Sequence, residues 1–235
     1  DPNFGDAAQV FEAFTYLGYL VGITNNILLG TAAIVLPLRQ PWLVKKSANT
    51  MAELSNNRLI LGVASGDRPS EYPLFNVDYA ARGQLFREAI EVLKDESDSK
   101  LQPGQKIYPQ VAQYPIYAAG LAQQSPQFIG ENLDGWLAYP GTPDDHVKRV
   151  ALWRSVAGDK PYVSFIHLDF VDNPDAPIER HHFGVRTGVN GLIKELNSMK
   201  AAGVDHIGLH FRRNEINIEQ SMEDIAKNVL PVFHK

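Results

Sequence analysis

The sequence contains no cysteine. That excludes disulfides, thiolate nucleophiles and cysteine-held metal or iron–sulfur centres, and it fits a reducing compartment such as the cytoplasm, which is the expected location. Long apolar runs are missing as well: none approaches the roughly 20 residues that a membrane span requires. No stretch rich in Lys and Arg is long enough to track phosphates, and 22 Lys and Arg stand against 27 Asp and Glu for a net charge of -5, so nucleic acid is not an expected partner. There is no G-x-G-x-x-G segment, which disfavours a Rossmann dinucleotide site. The seven histidines show no spacing with one another or with carboxylates that holds zinc, so no metal is expected. An initiator Met is also lacking. The chain opens Asp1-Pro2-Asn3 with no signal-peptide pattern, and the expectation is that it begins part-way into a longer protein.

What is present is an ordinary globular composition, 44% hydrophobic and 21% charged over 235 residues, enough for one sizeable core and a single domain spanning residues 1–235. Short, nearly continuous apolar runs at residues 27–35, 58–64, 115–119, 135–139, 162–171 and 206–211 read as strands of a parallel sheet. Helical periodicity lies at residues 7–21, 42–54, 79–93, 125–132, 144–156, 189–202 and 218–229, with Pro41, Asp78 and Ser125 at helix entries and Gly203 where a C-cap glycine belongs. Strands and helices that alternate over this length predict an α/β fold, doubly wound or closed. The polar stretch 95–105 reads as a mobile insertion or a place where residues are skipped.

Three strand ends carry chemistry. In Leu29-Gly30-Thr31-Ala32-Ala33-Ile34-Val35 the small residues fit either a crowded interior or a flat ligand lying against the backbone. Ala64-Ser65-Gly66-Asp67-Arg68 bunches polar groups at a strand's carboxyl end, where Asp67 and Arg68 are a candidate site or a surface ion pair. In Ala119-Gly120-Leu121-Ala122-Gln123-Gln124-Ser125-Pro126 a strand runs into a helix, whose N-terminus can cradle a phosphate or be closed by Ser125 as a plain cap. Trp136 and Tyr139 end an aromatic-rich strand. His167 and His210 alternate with apolar residues on strands and receive no catalytic role, while Arg186 and Arg212 either steady an anionic substrate or cofactor edge or stand on a solvated face.

Taken in order, residues 30–37, the turn carrying Glu53, Leu54, Ser55 and Arg58, and the strand end Gly62-Val63-Ala64-Ser65-Gly66 resemble the luciferase-like monooxygenase family. Its pattern runs G-T-A-x-x-V-L-P, then D/E-x-L/M-S-x-x-R, then G-x-x-x-G. Asn56-Asn57 stands where Gly-Gly or Lys-Gly is commoner, and Asn tolerates the left-handed conformation such a turn needs. The resemblance extends over nearly the whole chain. It implies a (β/α)8 TIM barrel, whose eight strands against the six counted here place the first two before residue 1. It implies FMN at the carboxyl ends of the strands and a non-proline cis peptide at Ala32-Ala33 beside the flavin ring near Thr31. Ser65, Gly66 and Asp67 would line the flavin edge or ribityl chain. The phosphate would lie at Gly120, Leu121, Ala122, Gln123, Gln124 and Ser125, with Tyr139 on the site wall. It further implies oxygenation of a small organic substrate by reduced FMN and O2, a separate NAD(P)H:flavin reductase and a homodimer. The family's catalytic histidine falls in the amino-terminal part expected to be absent, so no acid/base is assigned. Two rivals are a hydride-transferring relative using the deazaflavin F420, disfavoured by the lack of a further basic cluster for its anionic tail, and a non-catalytic flavin-binding protein.

Overall fold

The computed structural model describes residues 10–111 and 113–234. It comprises two compact units, Asp1–Asp134 and Gly135–Lys235.

In the first unit the apolar run 27–35 makes two short strands, β1 (Leu29–Gly30) and β2 (Ile34–Val35). Both pair in parallel with β3 (Leu59–Ala64), which also pairs with β4 (Ile116–Ala119). The interruption falls at residues 31–33, and the Ala32-Ala33 peptide is cis, where the resemblance places such a bond. Thr31 spans the break: its amide donates to Ile60 O at 3.2 Å and its hydroxyl to Gly62 O at 2.7 Å. The register sets Ile34, Val63 and Ala118 in one row and Val35 opposite Ala64, so the three carboxyl ends lie level.

The helices of this unit follow their local signals. Glu12 caps α1 (Ala13–Ile23), its carboxylate accepting the Thr15 amide at 2.8 Å. Residues 7–9 of the expected helix lie outside the described residues, and residues 10–12 are not helical. Pro41 opens α2 (Pro41–Leu54), which buries Val44, Ala48 and Ala52. The turn that follows holds Asn56 and Asn57 at φ 55 and 60°, the left-handed pair the sequence calls for. Asp78 caps a 3-10 turn at residues 79–81, so α3 (Arg82–Lys94) begins three residues later than its periodicity suggests. The polar stretch 95–105 is anchored: Asp95 accepts from Ser97, Ser99 and the Lys100 amide, and Asp98 lies buried against Lys45. Ser125 caps the seven-residue α4 (Pro126–Asn132).

In the second unit β6 (Tyr162–Phe170) is central. It pairs with β5 (Gly135–Leu137) along its first residues, with β9 (His206–His210) from Val163 to His167, and with β8 (Gly184–Thr187) from His167 onward. The antiparallel partner of β8, β7 (Glu179–His181), has no apolar alternation and was not expected from the sequence. The core gathers Trp136, Trp153 and Tyr162, ring centroids 5.3 and 5.6 Å apart, between β5, β6 and α5 (Pro143–Ala157). His146 on α5 is fully buried and meets the Tyr162 hydroxyl at 2.9 Å, and burial pushes that phenol up to about 12. The remaining helices are α6 (Val189–Ala201), α7 (Ile218–Asn228) and α8 (Leu230–Phe233).

A capping box closes α5. Thr142 Oγ1 accepts the Asp145 amide at 3.3 Å, while the Asp145 carboxylate accepts the Thr142 amide at 2.9 Å. Thr142→Ala is expected to cost about 1 kcal/mol in a urea melt; no loss would mean that the box is redundant with the two Asp residues of the first turn. Among the described residues no helix is long and apolar enough to cross a membrane.

Candidate functional site

The level strand ends of the first unit bring most of the sequence-predicted residues to one edge. Ser65, Gly66 and Asp67 follow β3 and Gly120 to Ser125 follow β4 at that edge, whereas Thr31, Ala32 and Ala33 precede β2 and run alongside the middle of β3, where Thr31 bonds Ile60 O and Gly62 O. Thr31 and Ser65 are buried, while Ala32 and Asp67 are exposed. Ala32, Ala33, Gly66, Gly120 and Ala122 carry little or no side chain, which leaves the backbone there open to close approach by a flat group.

Gly66 holds φ +78° and sits where a Cβ would stand 2.7 Å from the Tyr72 hydroxyl and 2.8 Å from Val35 Cγ1. The β3 loop therefore closes directly over β2. Tyr72 is buried and its hydroxyl donates to Ser65 O. Burial pushes this phenol up, so it remains an O–H donor. Its ring meets Tyr79 edge-on at 4.9 Å, and the Arg82 guanidinium lies over the Tyr79 ring at 3.7 Å. Arg82 donates through Nη1 to Tyr79 O, but its Nε is buried with no hydrogen-bond partner.

The loop after β4 joins the same cluster. Gln124 donates to Gly83 O at 2.9 Å and to Ala122 O at 3.0 Å, and its amide oxygen accepts from Arg87. Gly120, Ala122 and Gln123 have φ values of 59, 46 and 60°. The consecutive left-handed residues Ala122 and Gln123 form a tight turn that the Gln124 amide closes by donating to Leu121 O at 2.7 Å. Ser125, by contrast, acts as the cap: its Oγ accepts the Phe128 amide at 3.1 Å. The plain-cap reading of that residue is what the structure contains.

Arg82, Tyr72 and Tyr79 were missed in the sequence. One signal was available: Arg82 is the first residue of α3, where a cation opposes the helix dipole and needs another reason to be present. Tyr139 belongs to the second unit. Its ring is exposed, and its carbonyl accepts from Arg149 at 2.6 Å. Arg68 lies 3.6 Å from Glu71. Among the described residues no group of three or more His, Asp or Glu could hold a metal ion.

An uncharacterised protein of Mycobacterium tuberculosis (strain ATCC 25618 / H37Rv) is 30% identical over 169 residues, 66% of this chain and 58% of that protein. The chain thus spans 58% of the length of the curated relatives it matches first. Two of the solved structures that share its fold are as follows. An F420-dependent secondary alcohol dehydrogenase in complex with an F420–acetone adduct superposes with a TM-score of 0.79 at 15% identity, covering 97% of this chain and 86% of that one. The oxygenating constituent of 3,6-diketocamphane monooxygenase from Pseudomonas putida, in complex with FMN, superposes with a TM-score of 0.72 at 13% identity, covering 96% and 86%. These likenesses show the fold to be the parallel α/β class of the luciferase-like barrels. The family model described as luciferase-like monooxygenase matches residues 2–181, and the chain belongs to that family.

Proposed function

We propose that the chain is an FMN-dependent monooxygenase that uses reduced FMN and O2 on a small organic substrate. The observation that carries the reading is the buried, unpartnered Nε–H of Arg82, joined through Tyr79 and Tyr72 to the β3 loop and through Gly83 to the β4 loop. A donor without a partner in such a place fits an anionic group supplied from outside. In this reading Arg82 and residues 120–123 hold the flavin phosphate. Thr31, Ala32 and Ala33 lie beside the ring, and Ser65, Gly66 and Asp67 line its edge or the ribityl chain. When bound, the flavin supplies the electron transfer and oxygen chemistry, and the protein's part is to orient it and exclude water. A separate NAD(P)H-dependent reductase delivers the reduced flavin, and the working form is a homodimer.

The likeness to an F420-dependent alcohol dehydrogenase favours a second reading, hydride transfer through F420 at the same edge. Reconstitution distinguishes the two. The protein is offered FMN and F420 in turn, and the retained absorbance, two-banded for the flavin and single-banded for the deazaflavin, identifies the cofactor. Retention of F420 alone would replace the proposal; retention of neither would remove both. Arg82→Ala is expected to weaken FMN binding about ten- to a hundredfold, read from quenching of flavin fluorescence, with the far-UV spectrum preserved. Unchanged affinity would move the phosphate away from Arg82.

A further inference from the structure

The second unit contains a group of histidines that the flavin site does not use. On β6 and β9, His167 and His210 are register partners, and their rings lie 4.7 Å apart. The β7–β8 hairpin adds a third. At Gly184 a Cβ would stand 1.8 Å from His167 O and 2.6 Å from His181 Cε1, so only glycine lets the hairpin lie this close to β6. The His167 amide then donates to Phe183 O at 2.9 Å, and the Phe183 ring stands edge-on to His167 at 6.2 Å.

Hydrogen bonds assign the protons. His181 Nδ1 lies 3.2 Å from the His182 carbonyl, which can only accept, so Nδ1 carries hydrogen and the neutral ring's lone pair sits on Nε2, buried without a partner. His210 Nδ1 accepts the Arg212 amide at 3.2 Å, which places the neutral ring's hydrogen on Nε2. His167 Nδ1 is likewise buried without a partner. Around His167 the charges are of one sign. Burial first, then His210, Arg213, His181 and Arg212, all push its pKa down. The carboxylate two residues along the same strand face, Asp169, is engaged by Arg186 and the Glu215 amide, and Glu179 stands across from Arg186 in the hairpin register. Positive charge from His210, Arg213, His181 and Arg212 thus bears on His167, two ring nitrogens, His167 Nδ1 and His181 Nε2, stand unused, and the neighbouring carboxylate is already held elsewhere.

We propose that this cluster is an oxyanion site that takes the carboxylate, sulfonate or phosphate group of a small acidic substrate. It rests on the enzyme reading above only for the word substrate. An arriving anion supplies the missing counter-charge, so the imidazoles take up protons as it binds. The sign follows: the anion raises the His167 pKa from its depressed starting point, and binding tightens as pH falls and is lost as pH rises through the raised value.

Inorganic sulfate is the probe, compared with chloride at equal ionic strength and followed through the histidine ring resonances of the full chain, with and without FMN. Sulfate is expected to raise the pKa of His167 and of His181 or His210, leaving His146 and His234 unmoved, and to bind about tenfold more tightly at pH 6 than at pH 8. His210 is exposed, so His210→Asn tests the site without opening the core; it and Arg213→Gln should each weaken sulfate several-fold. Absence of shifts, or equal shifts with chloride, would overturn the site. Competition by FMN would reassign it to the cofactor's phosphate and overturn the substrate role. A protein that binds sulfate here but retains no FMN would keep this site while losing the cofactor reading.

Discussion

Lys45→Met is expected to cost about 3–5 kcal/mol of folding stability, because it strands a buried carboxylate. Lys45 projects from α2 with its Nζ 2.7 Å from Asp98 Oδ1 and 2.5 Å from Asp95 O, and the two side chains are only 7% and 3% exposed. The other Asp98 oxygen accepts the Ile107 amide at 2.8 Å. Burial alone raises the Asp98 carboxyl, but the Lys45 hydrogen bond, the Ile107 amide and the Lys45 charge outweigh it and hold the group below its usual range. A carboxylate depressed in the folded state contributes stability above its unfolded pKa of about 3.9, and that contribution is lost as pH falls through the folded value. The wild type should therefore weaken below about pH 4. In Lys45→Met burial is no longer opposed by the lysine, so the variant should be worst at neutral pH and its deficit should shrink in acid. The double variant Lys45→Met/Asp98→Leu removes both charges and should recover much of the loss. Urea melts of the two variants and wild type at pH 7 and pH 4 read all of this; a single variant within about 1 kcal/mol of wild type at pH 7 would mean that the pair is solvated.

This ion pair shows why part of the fold was legible in the sequence and part was not. The apolar runs that became β3, β4, β6 and β9 are set by composition, and their observed bounds match expectation within a residue or two. Local chemistry likewise announces itself at Asn56-Asn57 and at Ser125, because each solves a backbone problem within four residues of itself. Asp98, by contrast, sits in a polar run that reads as surface, and only a lysine 53 positions away makes it a core residue. The hairpin of β7 and β8 was invisible for the same reason. Glu179-Arg180-His181 has no strand pattern of its own and is held by the register of β8 on β6. At the candidate site the small residues at strand ends could be read directly. Arg82, Tyr79 and Tyr72 could not, since they reach that edge from the segment joining β3 to α3. The pairing of His167 with His210 needed a register that no single strand encodes.

Gly66→Val should damage both the fold and the flavin site. A side chain at φ +78° costs about 1–2 kcal/mol for the left-handed backbone, and the overpacking a further 1–3 kcal/mol. The closest obstacle is the Tyr72 hydroxyl, and Tyr72 is only 1% exposed, with a rigid ring that cannot swing into solvent without leaving Ser65 O. Its displacement removes the edge contact that fixes Tyr79, and with it the ring on which Arg82 rests. FMN affinity should therefore fall at least about tenfold along with stability. Tyr72→Phe takes away the colliding oxygen, and the next ring atom is 3.5 Å from the new Cβ, an ordinary contact. Combined with Gly66→Ala it should show a coupling of about 1 kcal/mol in a double-mutant cycle of urea melts, the double variant being less damaged than the sum of the single ones. Strict additivity would mean that the loop moves away from Tyr72 rather than against it. A Gly66→Val protein that loses stability yet binds FMN as well as wild type would detach the flavin from the end of β3 altogether.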